Sequence, residues 1–206
     1  MNGFCTRFAL AWLLSVGVGC TSAPVRYYTL TPAPDQTLPA PETTLAIDVR
    51  VVHTPPQLKR SELMARTGLT EVTILENERW ASPVNDEIKD ALRLELQRRQ
   101  DRVTGLRAAF TKLTIDLDVQ NFEAEFGKYA LLDASWSATL FATGAQSSGA
   151  RAITCTFRAD EKIQAGYAGM VEGYQREIAA LAEAIVAVLT SSGSGSEAPC
   201  RQSRGH

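Results

Sequence analysis

The chain has 206 residues, of which 45% are hydrophobic and 21% charged, with a formal net charge of -2. That length suits one domain of ordinary size, and the composition is globular rather than disordered. The balance of 21 lysines and arginines against 23 aspartates and glutamates gives no basic excess, so nucleic acid is not an expected partner.

Arg7 is the only charge before Arg26. From Phe8 to Gly19 the chain reads FALAWLLSVGVG, without a charge. This run is too short to span a bilayer, which needs ~20 apolar residues. A short basic start, an apolar run and small residues give the layout of a secretory signal, assigned to residues 1–19. Cys20 follows directly and resembles the acylated cysteine of bacterial lipoprotein signals. Cleavage before it would leave 206 − 19 = 187 residues. Acyl chains contribute ~0.8 kcal/mol per buried methylene, so several would hold the protein on a membrane surface. Thr21, rather than aspartate, stands next. By the custom of Gram-negative lipoproteins, this implies sorting to the outer membrane.

Residues 20–43 read as a tether with one short aromatic strand, VRYYTL at 25–30, followed by the proline-rich TPAPDQTLPAPET. The globular domain is expected over 44–190. Leu45, Ile47, Val49 and Val51 alternate with Ala46, Asp48 and Arg50, which predicts a half-buried strand. His53-Thr54-Pro55-Pro56 ends it. Residues 62–66 and 71–76, with Thr67-Gly68 between them, read as a short hairpin or a pair of edge strands. Arg79-Trp80-Ala81-Ser82-Pro83 opens a helix, with Ser82 as cap and Pro83 in the first turn. Val84, Ile88, Leu92 and Leu96 form its apolar stripe, and it is predicted over 83–99.

Three alternating segments follow. Leu113, Ile115, Leu117 and Val119 face one way in the first, and Ala130, Leu132, Ala134, Trp136, Ala138 and Leu140 in the second. Ile153, Cys155 and Phe157 do so in the third. Each predicts a half-buried strand, and the short connections suit an antiparallel meander. Tyr167, Val171, Tyr174, Ile178, Leu181, Ile185 and Val188 then step by four and three along a helix. That seam packs on the sheet or, in the other reading, forms a coiled-coil contact between copies. Residues 191–206 lack core-forming content and are expected to be disordered. The predicted fold is α+β, a mostly antiparallel sheet with two main helices packed on one face.

Little in the sequence suggests catalysis. His53 and His206 lack spaced partners, so no metal site or triad is expected, and no cofactor motif occurs. Cys155, on the apolar side of its strand, reads as a core thiol, or as the partner of Cys200 in an oxidising periplasm. Asp116, Asp118 and Asp133 share the polar side of the meander. They read as a solvated face, or as the acid pair of a periplasmic hydrolase.

Several segments in order resemble the ABC-type transport auxiliary lipoproteins, the PqiC-like family. They are Tyr27-Tyr28-Thr29-Leu30, Pro56 to Arg60 with Arg66, Arg79 to Pro83, Leu92 to Leu96, Leu117 to Glu123, and Leu132 to Trp136. The resemblance implies a non-enzymatic role. It implies docking of a periplasmic MCE-domain protein, and through it an inner-membrane transporter that moves lipid. It also places the chain on the periplasmic face of the outer membrane, anchored through acylated Cys20. The expected partner contacts are Tyr27, Tyr28, Arg60, Arg66, Arg79 and Trp80, because tryptophan, tyrosine and arginine dominate binding hot spots. In the other reading, Trp80 staples the helix start to the sheet, Tyr27 and Tyr28 pair across strands, and Arg60 and Arg66 form surface salt bridges. A homo-oligomer could form through the helix seam or a sheet edge. A scaffold for another envelope export or assembly complex is the alternative that shares the anchor.

Overall fold

The computed structural model describes residues 23–33, 45–103, 110–142, 151–191 and 201–204. The strands are β1 (Arg26–Tyr28), β2 (Ala46–His53), β3 (Glu62–Arg66), β4 (Val72–Trp80), β5 (Phe110–Glu125), β6 (Tyr129–Ala142), β7 (Arg151–Lys162) and β8 (Arg201–Arg204). The long helices are α1 (Val84–Arg98) and α2 (Tyr167–Ser191). The expected signal peptide, Cys20 and most of the proline-rich tether lie outside the described residues.

The frame is the antiparallel meander β5–β6–β7. Its apolar alternation does what period-two patterning demands. Leu113, Ile115, Leu117 and Val119 are buried, as are Ala130, Leu132, Ala134, Trp136, Ala138 and Leu140 opposite them. A register shift between Val119 and Asn121 then turns Phe122 and Ala124 inward. Gly127, at φ 68°, closes the tight β5–β6 turn, a conformation that glycine adopts without steric cost.

The full strand order is β1-β4-β3-β5-β6-β7-β8, with β2 also on β5. The fold is thus α+β with a mostly antiparallel sheet, as expected, but β1–β4, β2–β5, β3–β5 and β7–β8 are parallel pairs. Both helices cover one face. The seam of α2 is buried against β6, β7 and α1, so it is occupied within the chain. Arg99 and Arg102 tie the end of α1 to Glu183 of α2, at 3.3 and 2.5 Å.

Four expectations change. β4 runs on to Trp80, so Arg79-Trp80 ends a strand rather than opening a helix. The Trp80 amide donates to the Ser61 carbonyl at 2.8 Å and keeps the strand going. Ser82 does not cap α1: Pro83 holds the cap position, and the Ser82 hydroxyl donates to Glu87. The tail expected to be disordered contains β8, whose Arg201–Arg204 pair with Thr156 to Ala159 of β7. Finally, Cys155 is not a free core thiol but is disulfide-bonded; Cys200 lies outside the described residues.

Glu177 on α2 is fully buried, and neither carboxylate oxygen has a hydrogen-bond partner. Burial, then the nearby Glu161 and Asp160, push its pKa up to about 8, with Arg176 pulling the other way. The unfolded chain releases this proton near the ordinary glutamate range, so stability falls as pH rises from about 4.5 to about 8. Glu177→Gln is therefore expected to raise stability by ~3 kcal/mol at pH 7 and to give no gain at pH 4. Denaturant unfolding at the two pH values checks this; an equal gain at both would remove ionisation as the cause.

Candidate docking site

An open groove of about 770 Å³ lies where the end of β2, the following loop, the end of β4 and the start of α1 converge. Each element arrives for a local reason. Pro55-Pro56 stops β2, since proline cannot donate to the ladder. A short 3-10 turn over Pro56–Leu58 then swings Lys59 and Arg60 outward, and both are exposed. β1 closes the far side: the Ala81 amide donates to the Tyr28 carbonyl at 2.8 Å.

Trp80 forms one wall. It is buried to 7% exposure against Phe122 and Tyr174, with ring centroids 6.4 and 6.1 Å away. Phe122 and Tyr174 stack at 4.0 Å beneath it. Burial of the Tyr174 hydroxyl pushes its pKa well above the usual tyrosine range.

Glu87 fixes the groove's rim. Its buried carboxylate accepts four hydrogen bonds: from the Thr29 hydroxyl at 2.7 Å, the Leu30 amide at 2.8 Å, the Ser82 hydroxyl at 2.8 Å and the Ser82 amide at 3.0 Å. This one side chain joins the N-terminal segment to the start of α1. Nearby, Glu78 is buried and receives both the Arg26 guanidinium and the Tyr28 hydroxyl, the latter at 2.8 Å. The hydrogen bonds from Arg26 are the main reason its carboxyl sits below the usual glutamate range.

The groove is cationic. Lys59, Arg60 and Arg79 line it with His53, and among the described residues no aspartate or glutamate does. Arg60 is exposed and its Nε donates only to the Gln57 carbonyl, at 3.2 Å. Arg79 reaches Glu62 at a loose 3.7 Å, and its buried Nε has no partner. A chain of net charge -2 therefore concentrates under-neutralised cations in one apolar-walled groove. Such a surface suits an acidic or hydrogen-bond-accepting segment with an aromatic or aliphatic anchor.

Of the six expected contact residues, four line this groove: Tyr27, Arg60, Arg79 and Trp80. Tyr27 is exposed and sits opposite Arg79 in the β1–β4 register. Tyr28 turns to Glu78 instead. Arg66 lies at the other end of β4, paired with Glu123 at 2.5 Å and donating to the Leu69 carbonyl at 3.1 Å. Lys59 was not among the expected contacts. The Pro-Pro pair before Lys59-Arg60 is the signal that marks both as presented on a turn.

Of the carboxylates in the acid-pair reading, Asp116 and Asp118 line one shallow groove with Arg50 and His53, and Asp133 does not join them. Asp116 opposes Ser137 and pairs with Arg50 at 2.5 Å, whereas Asp133 opposes Asn121 and pairs with Arg158 at 2.7 Å. Among the described residues, no cluster of histidine, cysteine, aspartate or glutamate could hold a metal ion.

The family model of the ABC-type transport auxiliary lipoprotein component matches residues 28–186. The chain belongs to this family. Two solved structures share the fold. One, an uncharacterized protein, is 19% identical, with a TM-score of 0.59 over 80% of this chain and 98% of its own. The other, a Xanthomonas campestris protein of family DUF330, is 14% identical, with a TM-score of 0.51 over 82% of this chain and 98% of its own. No curated protein matches the chain. The match fits a lipid-anchored envelope protein, and among the described residues no helix is long and apolar enough to cross a membrane.

Glu87→Ala is expected to destabilise the domain by ~3 kcal/mol, because it strands two amides and two hydroxyls. Hydrogen exchange should accelerate at Leu30 and Ser82 while the β5–β6 amides stay slow. Unchanged exchange at Leu30 would show that Glu87 does not hold the N-terminal segment.

Proposed function

We propose that the chain is a non-catalytic subunit of an MCE-type ABC lipid-transport system, anchored by acylated Cys20 to the periplasmic face of the outer membrane. In this reading the groove docks the periplasmic MCE-domain protein, and the inner-membrane transporter acts through that partner. The observation that carries it is the cationic groove with an aromatic wall and no lining carboxylate, in a chain of the transport auxiliary family. Lipid crossing water needs a shielded path, because exposing acyl chains costs ~0.8 kcal/mol per methylene. A subunit that receives the end of such a path needs an anchor and a complementary surface. Tyr27, Arg79 and Trp80 of the groove stand on strands, which lowers the entropy cost of ordering them on binding.

The test is co-purification from native envelope membranes with mass spectrometry of the captured proteins. The wild type is expected to retain an MCE-domain protein. Arg60→Glu, which reverses an exposed charge, should weaken that capture by about tenfold or more while leaving the melting temperature unchanged. Full capture by Arg60→Glu would remove the groove as the docking surface. No MCE-domain protein in the wild-type sample would remove the partner itself.

A further inference from the structure

Exposed apolar surface gathers at one edge of the sheet. Leu69 is 99% exposed, Val72 50% and Ile74 43%, all on the β3–β4 hairpin. Val25 is exposed on the neighbouring N-terminal segment, whereas the exposed Tyr27 lines the groove. The remaining exposed large apolar residue among those described, Phe141, lies on β6. The hairpin tip is also rigid. The Thr67 amide donates to the Glu71 carbonyl at 3.0 Å, and Arg66 braces the turn from below. β1 covers only Glu78, Arg79 and Trp80 of β4, so residues 72–77 have no described strand on that side.

The direction of β1 says what this edge meets. β1 runs parallel to β4, with Arg26 beside Glu78 and Tyr28 beside Trp80. The chain therefore enters β1 from the hairpin-tip side. Cys20 precedes Arg26 by six residues, so it can lie no farther than roughly 20 Å from β1. Val72 stands six residues before Glu78 on β4, on the side from which the chain enters β1, and so falls within that reach. From these two facts we infer that the β3–β4 tip, led by Leu69 with Val72 and Ile74, inserts into the membrane surface beside the lipid anchor. This inference rests on the anchored reading of Cys20. The tip carries unpaired backbone edge and the exposed Glu71, so it sits at headgroup level rather than in the hydrocarbon. The docking groove lies ~23 Å away at the other end of β4, so an inserted tip points the groove into the periplasm.

The experiment uses the full acylated protein, purified from cells and reconstituted into vesicles of phosphatidylethanolamine and phosphatidylglycerol. Intact mass and flotation are read first, then indole fluorescence with a brominated fraction of the lipid. The native Trp80 and Trp136 are buried and supply the background. Leu69→Trp should add emission that shifts to the blue on vesicles and loses most of its intensity to brominated lipid. Phe141→Trp should add emission that does neither. Floating, acylated protein whose added emission at position 69 is unquenched overturns tip insertion and leaves the anchor standing. A blue shift without quenching, with a doubled particle mass in detergent, also overturns it and assigns the tip to a second copy. Protein that carries no acyl group, or does not float, overturns the anchored reading and this inference together.

Discussion

The N-terminal segment, β4 and α1 meet at the carboxylate of Glu87. A buried carboxylate is tolerated only when its lone pairs are satisfied, and here four donors converge on it. Two of those donors come from Thr29 and Leu30, which follow the three-residue β1. So short a strand contributes little by itself. Its place is set instead by side chains: Arg26 and Tyr28 on Glu78, Arg26 over the Tyr167 ring at 5.1 Å, and Gln175 on the Thr29 carbonyl at 3.2 Å. Force applied to the chain ahead of Arg26 would thus be carried into β4, α1 and α2 together. A tether that ended in an unsupported strand would peel.

Charge is distributed in two different ways. On the open face of the sheet, opposite charges are neighbours: Arg50 with Asp116, Lys112 with Asp48 at 3.4 Å, and Arg158 with Asp133. Exposed pairs of this kind contribute about 0–1 kcal/mol each, but they neutralise the surface. At the groove, Lys59 and Arg60 form no ion pair among the described residues, Arg79 has only the loose contact to Glu62, and that one carboxylate is shared electrostatically between Arg79 and Arg60. The contrast matters because residual cation, rather than total cation, attracts an acidic partner.

The meander and both helices were legible because their period matched their burial. In β6 every second residue from Ala130 to Leu140 is buried, and in α2 the four-three seam is the core. The misses share a cause as well. β8 reads as four polar residues and exists only because the β7 edge accepts them. The parallel placement of β1 and β2 depends on long-range register, which a local pattern does not carry. Within the site, Arg60, Arg79, Trp80 and Tyr27 were found by residue type. Arg66 was grouped with them by type alone, and the structure puts it at the far end of β4, holding a turn. Glu87 lies in the first turn of α1, where the sequence alone places it only near the positive end of the helix dipole. Its role as a junction needs Thr29 and Leu30, 58 and 57 residues away in sequence.

The groove itself follows from a mismatch of strand lengths. β5 is 16 residues long, and two shorter strands share one of its edges. β2 occupies Lys112 to Asp118, and β3 touches at Glu125. The chain between them must leave the sheet after His53 and return by Glu62. Pro55-Pro56 enforces the exit, because neither residue can extend the ladder. The excursion bulges outward and carries Lys59 and Arg60 at its crest, above Trp80. Had β2 continued without the prolines, its edge pairing would have filled this space. The same short stretch therefore both ends a strand and creates the surface on which the cations stand.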